Sequence, residues 1–156
     1  MPLANNALVL VTDGRKTLIF RNEGDVNQID LRTEAHDERE DAKDSDMKTD
    51  APGAIGQSAD YSGRVAYEET DFHQLEEDRW AHSAAEEVNK RALANDFEAL
   101  AIIAPPKTLG ELRKKLHKEA ARRVVCEIPK EMTGHPIPAI EKLLISETQA
   151  EQPAAV

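Results

Sequence analysis

Five apolar residues, Leu100–Ala104, run directly into Pro105 and Pro106. A strand with no polar side chain has no wet face. It must be covered on both sides, as in a parallel sheet flanked by helices. The prolines cannot donate to a ladder and so end the strand. A second run, Val124–Ile128 (VVCEI), predicts another buried strand.

The rest of the chain is read around these two strands. Ala7–Val11 (ALVLV) predicts a buried strand, Asp13-Gly14 is a two-residue hairpin signal, and Thr17–Phe20 (TLIF) is the second strand. The chain turns at Gly24. Val26–Thr33 then alternates, with Ile29, Leu31 and Thr33 on one face. From Thr33 to Asp50 eight acids face three bases, a net of −5, and no buried face can be made from them. Residues 34–69 are therefore expected to form a long mobile acidic loop; loops of this length are usually functional or disordered.

A helix is expected over 72–94, capped by Thr70 or Asp71. Ala81, Ala84, Ala85, Val88 and Ala92 would form a small-residue face able to lie close to a sheet. After the prolines, Thr108 and Glu111 fit a capping box, and Leu109, Leu112, Leu116 and Ala120 form a buried stripe. Ile137, Ile140, Leu143 and Leu144 mark a last amphipathic helix, with 147–156 expected as a disordered tail.

The order is β-β-β-α-β-α-β-α. Hairpins join the first three strands, and helical crossovers demand parallel pairing of the last two. The expectation is one α/β domain over 1–146. Its five-stranded mixed sheet would have three antiparallel then two parallel strands, with helices on both faces: the ribonuclease-H-like plan.

Composition narrows the function. Only six of 156 residues are aromatic, which argues against a nucleic-acid reader built on base stacking. The single cysteine, Cys126, excludes an internal disulfide and a cysteine-based zinc site, and its apolar setting reads as a buried structural thiol. No apolar run approaches membrane-spanning length. Ala7–Val11 is too short, and lacks the basic flank, for a signal-peptide core. The expected location is cytoplasmic, with no membrane partner and no small-molecule cofactor.

This fold plan invites a search for clustered carboxylates that hold metal ions. Asp13 ends the first strand, but the hairpin accounts for it, and Glu98 and Glu127 do not complete a set. His73/Glu77 and His82/Glu86 lie four apart on the long helix, a spacing that a solvated face produces equally well. No metal site is assigned.

Two features remain. From Lys107 to Lys130 eight bases oppose three acids, a local +5 in a chain of −10. Lys107, Arg113, Lys114, Lys115 and Lys118 are the candidate RNA-binding residues, because such separation favours a polyanion. The plainer reading is a wet face balanced by the acidic loop. The second feature is Gly56-Gln57-Ser58, followed by Arg64, in that loop. A glutamine amide can orient water without titrating, and glycine permits close approach, although the composition also fits a plain linker.

VTDGRKTLIF, FEALAIIAPPKTLGELRKKL and CEIPKEMT together resemble the bacterial host attachment protein family, proteins named as required for attachment to host cells. The likeness spans roughly residues 7–145. Its most specific piece is Ala104–Arg113. The family is grouped with bacterial relatives of the central domain of the archaeo-eukaryotic release factor.

That resemblance implies the same strand and helix order. It also implies a Gly-Gly-Gln loop between the third strand and the long helix, which positions the water that hydrolyses peptidyl-tRNA. Gln57 falls in that place, with Ile55 where the first glycine would be, so it carries over as a degenerate catalytic residue. The implied partner is ribosomal or transfer RNA, with a role in stalled translation. The alternative is a non-catalytic regulatory or protein-interaction domain with an indirect role in attachment.

Overall fold

The computed structural model describes residues 3–38 and 62–150, with the side chains of 38, 62–74 and 149–150 left aside. The elements are β1 (Leu8–Thr12), β2 (Lys16–Asn22), β3 (Leu31–Glu38), α1 (Ser62–Leu93), β4 (Leu100–Ile103), α2 (Pro106–Lys115), α3 (Lys118–Ala121), β5 (Val124–Ile128) and α4 (Ile137–Ala150). They form one five-stranded sheet in the order β3-β2-β1-β4-β5. The β1–β2 and β2–β3 pairs are antiparallel; β1–β4 and β4–β5 are parallel. This is the mixed ribonuclease-H-like sheet expected from the apolar runs.

Both faces are covered. On one, Leu8, Leu10, Ile19, Leu100 and Ile102 pack against Ala81, Ala84, Ala85, Val88 and Ala92 of α1 and against Leu109, Leu112 and Ala120. On the other, Val9, Val11, Phe20, Ala101, Ile103 and Ile128 pack against Ile140 and Leu144 of α4. The central strands alternate between the two cores, so no position of β1 or β4 is wet.

Several boundaries differ from expectation, each for a local reason. β3 runs through Glu38, five residues past Thr33, into what reads as loop. Its backbone partners β2 as far as Lys16↔Glu38, and backbone pairing needs no apolar side chain. A bulge between Ile19 and Phe20 breaks its alternation, so Thr33 is exposed while Ala35 packs on the core under α1. α1 begins at Ser62, ten residues before the expected start, so Thr70 and Asp71 lie inside it. It ends at Leu93, and two residues on Asn95, with a φ of 59°, takes the left-handed conformation common after a helix terminus. Asp96 N then donates to Arg91 O at 2.9 Å.

α2 starts at Pro106 in the first helical position, with Pro105 before it and no side-chain cap. Thr108 and Glu111 therefore sit within the helix rather than forming a capping box. The expected single helix also breaks at Leu116, which is extended, and restarts as α3. Asn89 of α1 holds the break: its Nδ2 donates to Lys115 O at 3.1 Å and its Oδ1 accepts from His117 N at 2.7 Å. At the far end, α4 continues to Ala150, past the expected start of the tail at 147.

The first hairpin turns at Gly14 and Arg15 rather than at Asp13-Gly14. The Asp13 carboxylate accepts from Arg15 N and Lys16 N at 2.7 and 2.8 Å. Glu77 of α1 packs directly on Gly14: a Cβ there would lie 2.5 Å from Glu77 Cγ and the side chain would have to shift. That contact fixes which way α1 runs. The hairpin lies at the carboxyl ends of the parallel strands, so α1 enters from that side. The rise from Ser62 to Glu77 is about 22 Å at the usual helical pitch.

Candidate functional site

The basic stretch is spread over three elements. Lys107 lies in the first turn of α2, at the carboxyl end of β4. Arg113, Lys114 and Lys115 lie in the last turn of α2, and Lys118 begins α3. Lys107 and Lys115 are separated by about 12 Å of helical rise. The structure thus brings Arg113, Lys114 and Lys115 together. It leaves Lys107 at the other end of the helix and Lys118 beyond a break.

The three acids of the stretch are distributed among its bases. Arg113 donates through Nε to Glu127 Oε1 of β5 at 2.8 Å. Lys114 and Lys115 reach Glu111 at 3.4 and 3.8 Å. Arg122 donates to Glu119 at 2.9 Å, and this hydrogen bond is the main cause holding the Glu119 carboxyl below its ordinary range. The side chains of Arg113 and Lys114 stay 60% and 73% exposed, whereas Lys115 is only 25% exposed. Lys107 and Lys118 are exposed.

Arg123 leaves the surface altogether. At 8% exposure it lies over the Phe97 ring, 5.7 Å from its centroid. It donates to Phe97 O and to Asn95 Oδ1, the latter at 3.1 Å. It therefore ties β5 to the turn between α1 and β4. Its Nε is buried with no partner among the described residues.

Gly56, Gln57 and Ser58 lie outside the described residues, as does the side chain of Arg64; the Arg64 backbone is in the first turn of α1. The nuclease alternative finds no constellation. The second Asp13 carboxylate oxygen accepts from Thr133 Oγ1 at 2.7 Å, Glu127 is paired with Arg113, and Glu98 precedes β4 at the opposite end of the sheet. Among the described residues, no group of three or more His, Cys, Asp or Glu side chains is placed to hold a metal. His82 and Glu86 meet at 2.9 Å on an exposed face. No helix among the described residues is long and apolar enough to cross a membrane.

Among the described residues, a second charged cluster is extensively bonded and leaves no sequence signature. At the amino end of the sheet, Arg21 grips both oxygens of Glu34, at 3.0 and 2.9 Å. It also reaches Asp96 Oδ2 at 2.6 Å. Arg91 of α1 meets Glu34 at 2.7 Å and Glu87 at 3.1 Å. The bulge in β3 makes this possible, because it lets Glu34 and Ala35 both serve the α1 side of the sheet. The Arg21 hydrogen bond, with Arg91 also contributing against desolvation, holds the Glu34 carboxyl below its ordinary value. Asn22 beside it is fully buried. Its Oδ1 accepts from Gly24 N and Asp30 N, both at 2.9 Å, and its Nδ2 donates to Leu3 O at 3.0 Å. Asn95 and Asp96, directly after a helical pattern, were a readable terminus signal. Nothing in the sequence links Arg21 to Asp96, 75 positions away.

Over residues 6–144 the chain matches the model of Bacterial archaeo-eukaryotic release factor family 12, and it belongs to that family. The matched segment holds all five strands and enters α4. No curated protein matches the sequence.

Proposed function

We propose that this chain is a release-factor-like domain of the translation apparatus that binds ribosomal or transfer RNA through the surface of α2 and α3, with stalled translation as its setting. Membership of a release-factor family over nearly the whole fold is the observation that carries the reading. Arg113, Lys114 and Lys118 are the exposed contacts, with Lys107 at the other end of α2 and Lys115 as a partly buried contributor.

The ion pairs along this surface do not oppose the reading. Exposed pairs are worth about 0–1 kcal/mol, so a phosphate can replace a carboxylate at little cost. The stretch keeps its net +5, and the remainder of a −10 chain repels a polyanion. Binding would therefore be confined to this surface. Gln57, if it acts, would orient the water that hydrolyses the peptidyl-tRNA ester; Ile55 in place of glycine argues for binding without fast hydrolysis.

The test is fluorescence anisotropy with labelled tRNA across a salt series. Each lysine that contacts phosphate should, on change to glutamine, lower the salt slope by about one. A quadruple change of Arg113, Lys114, Lys115 and Lys118 to glutamine that leaves both slope and affinity unchanged would refute the surface.

The pairing of Arg113, Lys114, Lys115 and Arg122 with carboxylates favours a second reading: a non-catalytic protein-interaction or regulatory domain. Attachment to host cells, the phenotype named by the family it resembles, would then be an indirect effect. A protein partner retained at about 1 M salt, where the Debye length is about 3 Å, with no RNA bound, would favour this reading.

A further inference from the structure

We propose that the pocket between α1 and the β2–β3 edge of the sheet binds a guanidinium carried on an aliphatic stem, the chemistry of an arginine side chain. The site is separate from the α2 surface and does not depend on the RNA reading.

The pocket has a volume of about 220 Å³. Engineered apolar cavities of about 150 Å³ hold a benzene ring, so a guanidinium with several methylenes fits. Its floor is Ile19, Ala35 and Ala84, an apolar seat for a stem. Trp80 forms one wall. Its Nε1 is buried with no partner among the described residues. Indole is the strongest cation–π partner among side chains, and guanidinium is the cation that stacks on it best.

The polar wall is acidic. Asp37 and Glu87 both line the pocket, with Ser83 between Trp80 and Glu87 on α1. Glu87 already serves Arg91 through Oε1. Asp37 pairs with β2 through its backbone, but its carboxylate has no hydrogen bond or ion pair among the described residues and is available for bidentate pairing. A ring surface, an uncommitted carboxylate and an apolar floor in one pocket select a flat cation over an anion, and over a neutral isostere.

Trp80 is the only tryptophan, so its fluorescence reports the pocket directly. The protein is titrated with n-butylguanidinium and with n-butylurea, its neutral isostere. It is also titrated with acetyl-Gly-Arg-Gly-amide and the citrulline counterpart of that peptide. The expected result is saturable binding of butylguanidinium with a Kd of about 1 mM or tighter at low salt. Binding should be about tenfold weaker for the urea and for Asp37→Asn, and lost in Ser83→Leu, which fills the pocket.

Binding of the arginine peptide as tightly as butylguanidinium assigns the pocket to a partner's arginine. Binding of butylguanidinium alone assigns it to a free guanidino compound. Equal binding of urea and guanidinium, an unchanged Asp37→Asn, or no saturable fluorescence change and no heat by calorimetry overturns the proposal. Asp37 is exposed, so its substitution leaves the fold intact as the reference.

Discussion

At the amino ends of β1, β4 and β5, charged side chains are spent on structure. Arg21, Arg91, Glu34 and Asp96 bond one another, and Arg123 lies buried against Phe97 and Asn95. At the carboxyl ends the charged side chains stay closer to water: Asp13 closes the hairpin and meets Thr133, Arg113 pairs with Glu127 while 60% exposed, and beyond them lie the start of α2 with Lys107 and the entry of α1. The difference follows from burial. A guanidinium that loses water must be repaid by several fixed acceptors, and those acceptors hold a turn in place. An exposed base in a surface ion pair can exchange its carboxylate for another anion at little cost. Open sheets bind ligands at the carboxyl ends of their strands for the same reason, since loops there are released from the ladder.

The comparison breaks most easily at Arg123. Arg123→Met should cost about 3 kcal/mol, because Phe97 O and Asn95 Oδ1 lose a charged donor in a buried setting. Urea denaturation measures it; a cost under about 0.5 kcal/mol would place Arg123 with the surface bases. Its effect on RNA affinity should be nil.

Asp13→Ala comes next, at about 2 kcal/mol, since two backbone donors and the Thr133 hydroxyl lose their acceptor. Asp13→Asn should recover about half of that, because one amide oxygen can still close the turn. An inactive-nuclease phenotype instead of a stability loss would reopen the metal reading.

Glu34→Gln should cost about 1 kcal/mol at neutral pH. The Glu34 carboxyl is held below its ordinary value of 4.5 in the folded state, first by Arg21. Its contribution is therefore complete above that value and is lost as pH falls through it towards the lowered folded value. The gap between the native protein and Glu34→Gln should close over that acid range in urea titrations at successive pH values. A gap that widened with acid would contradict the network.

The smallest effects on stability belong to the candidate site. Lys107→Gln, Lys114→Gln and Lys118→Gln should each move stability by less than about 0.5 kcal/mol, while weakening RNA binding at low salt.

Four strands are legible as apolar runs: Ala7–Val11, Thr17–Phe20, Leu100–Ala104 and Val124–Ile128 correspond to β1, β2, β4 and β5; burial on both faces explains β1 and β4, whereas β5, expected to be buried, is an edge strand half-buried at Val124, Val125 and Glu127. β3 was half legible. Beyond Thr33 it is held by backbone pairing to β2, and side chains such as His36 and Asp37 stay wet, so the sequence there resembles a loop. The start of α1 leaves no signal in the sequence, because residues 62–71 lack an apolar repeat. The break at Leu116 was hidden because Leu116 and Ala120 keep helical spacing while Asn89, on another element, holds the chain open.

For the site, charge counting located the basic residues but not their partners. Glu111 lies three and four positions before Lys114 and Lys115 and was readable as a neutraliser, whereas Glu127 reaches Arg113 only through the fold. Nothing local in the sequence distinguishes the buried Arg123 from the exposed Arg122.

Ribosome co-sedimentation across a salt series tests the central claim most directly. It compares the native chain with one changed to glutamine at Lys107, Arg113, Lys114, Lys115 and Lys118. The account predicts that the native protein pellets with ribosomes at low salt and is released as salt rises, while the variant, equally stable, stays in the supernatant throughout. Equal pelleting of the two proteins, or native binding that ignores salt, would contradict it.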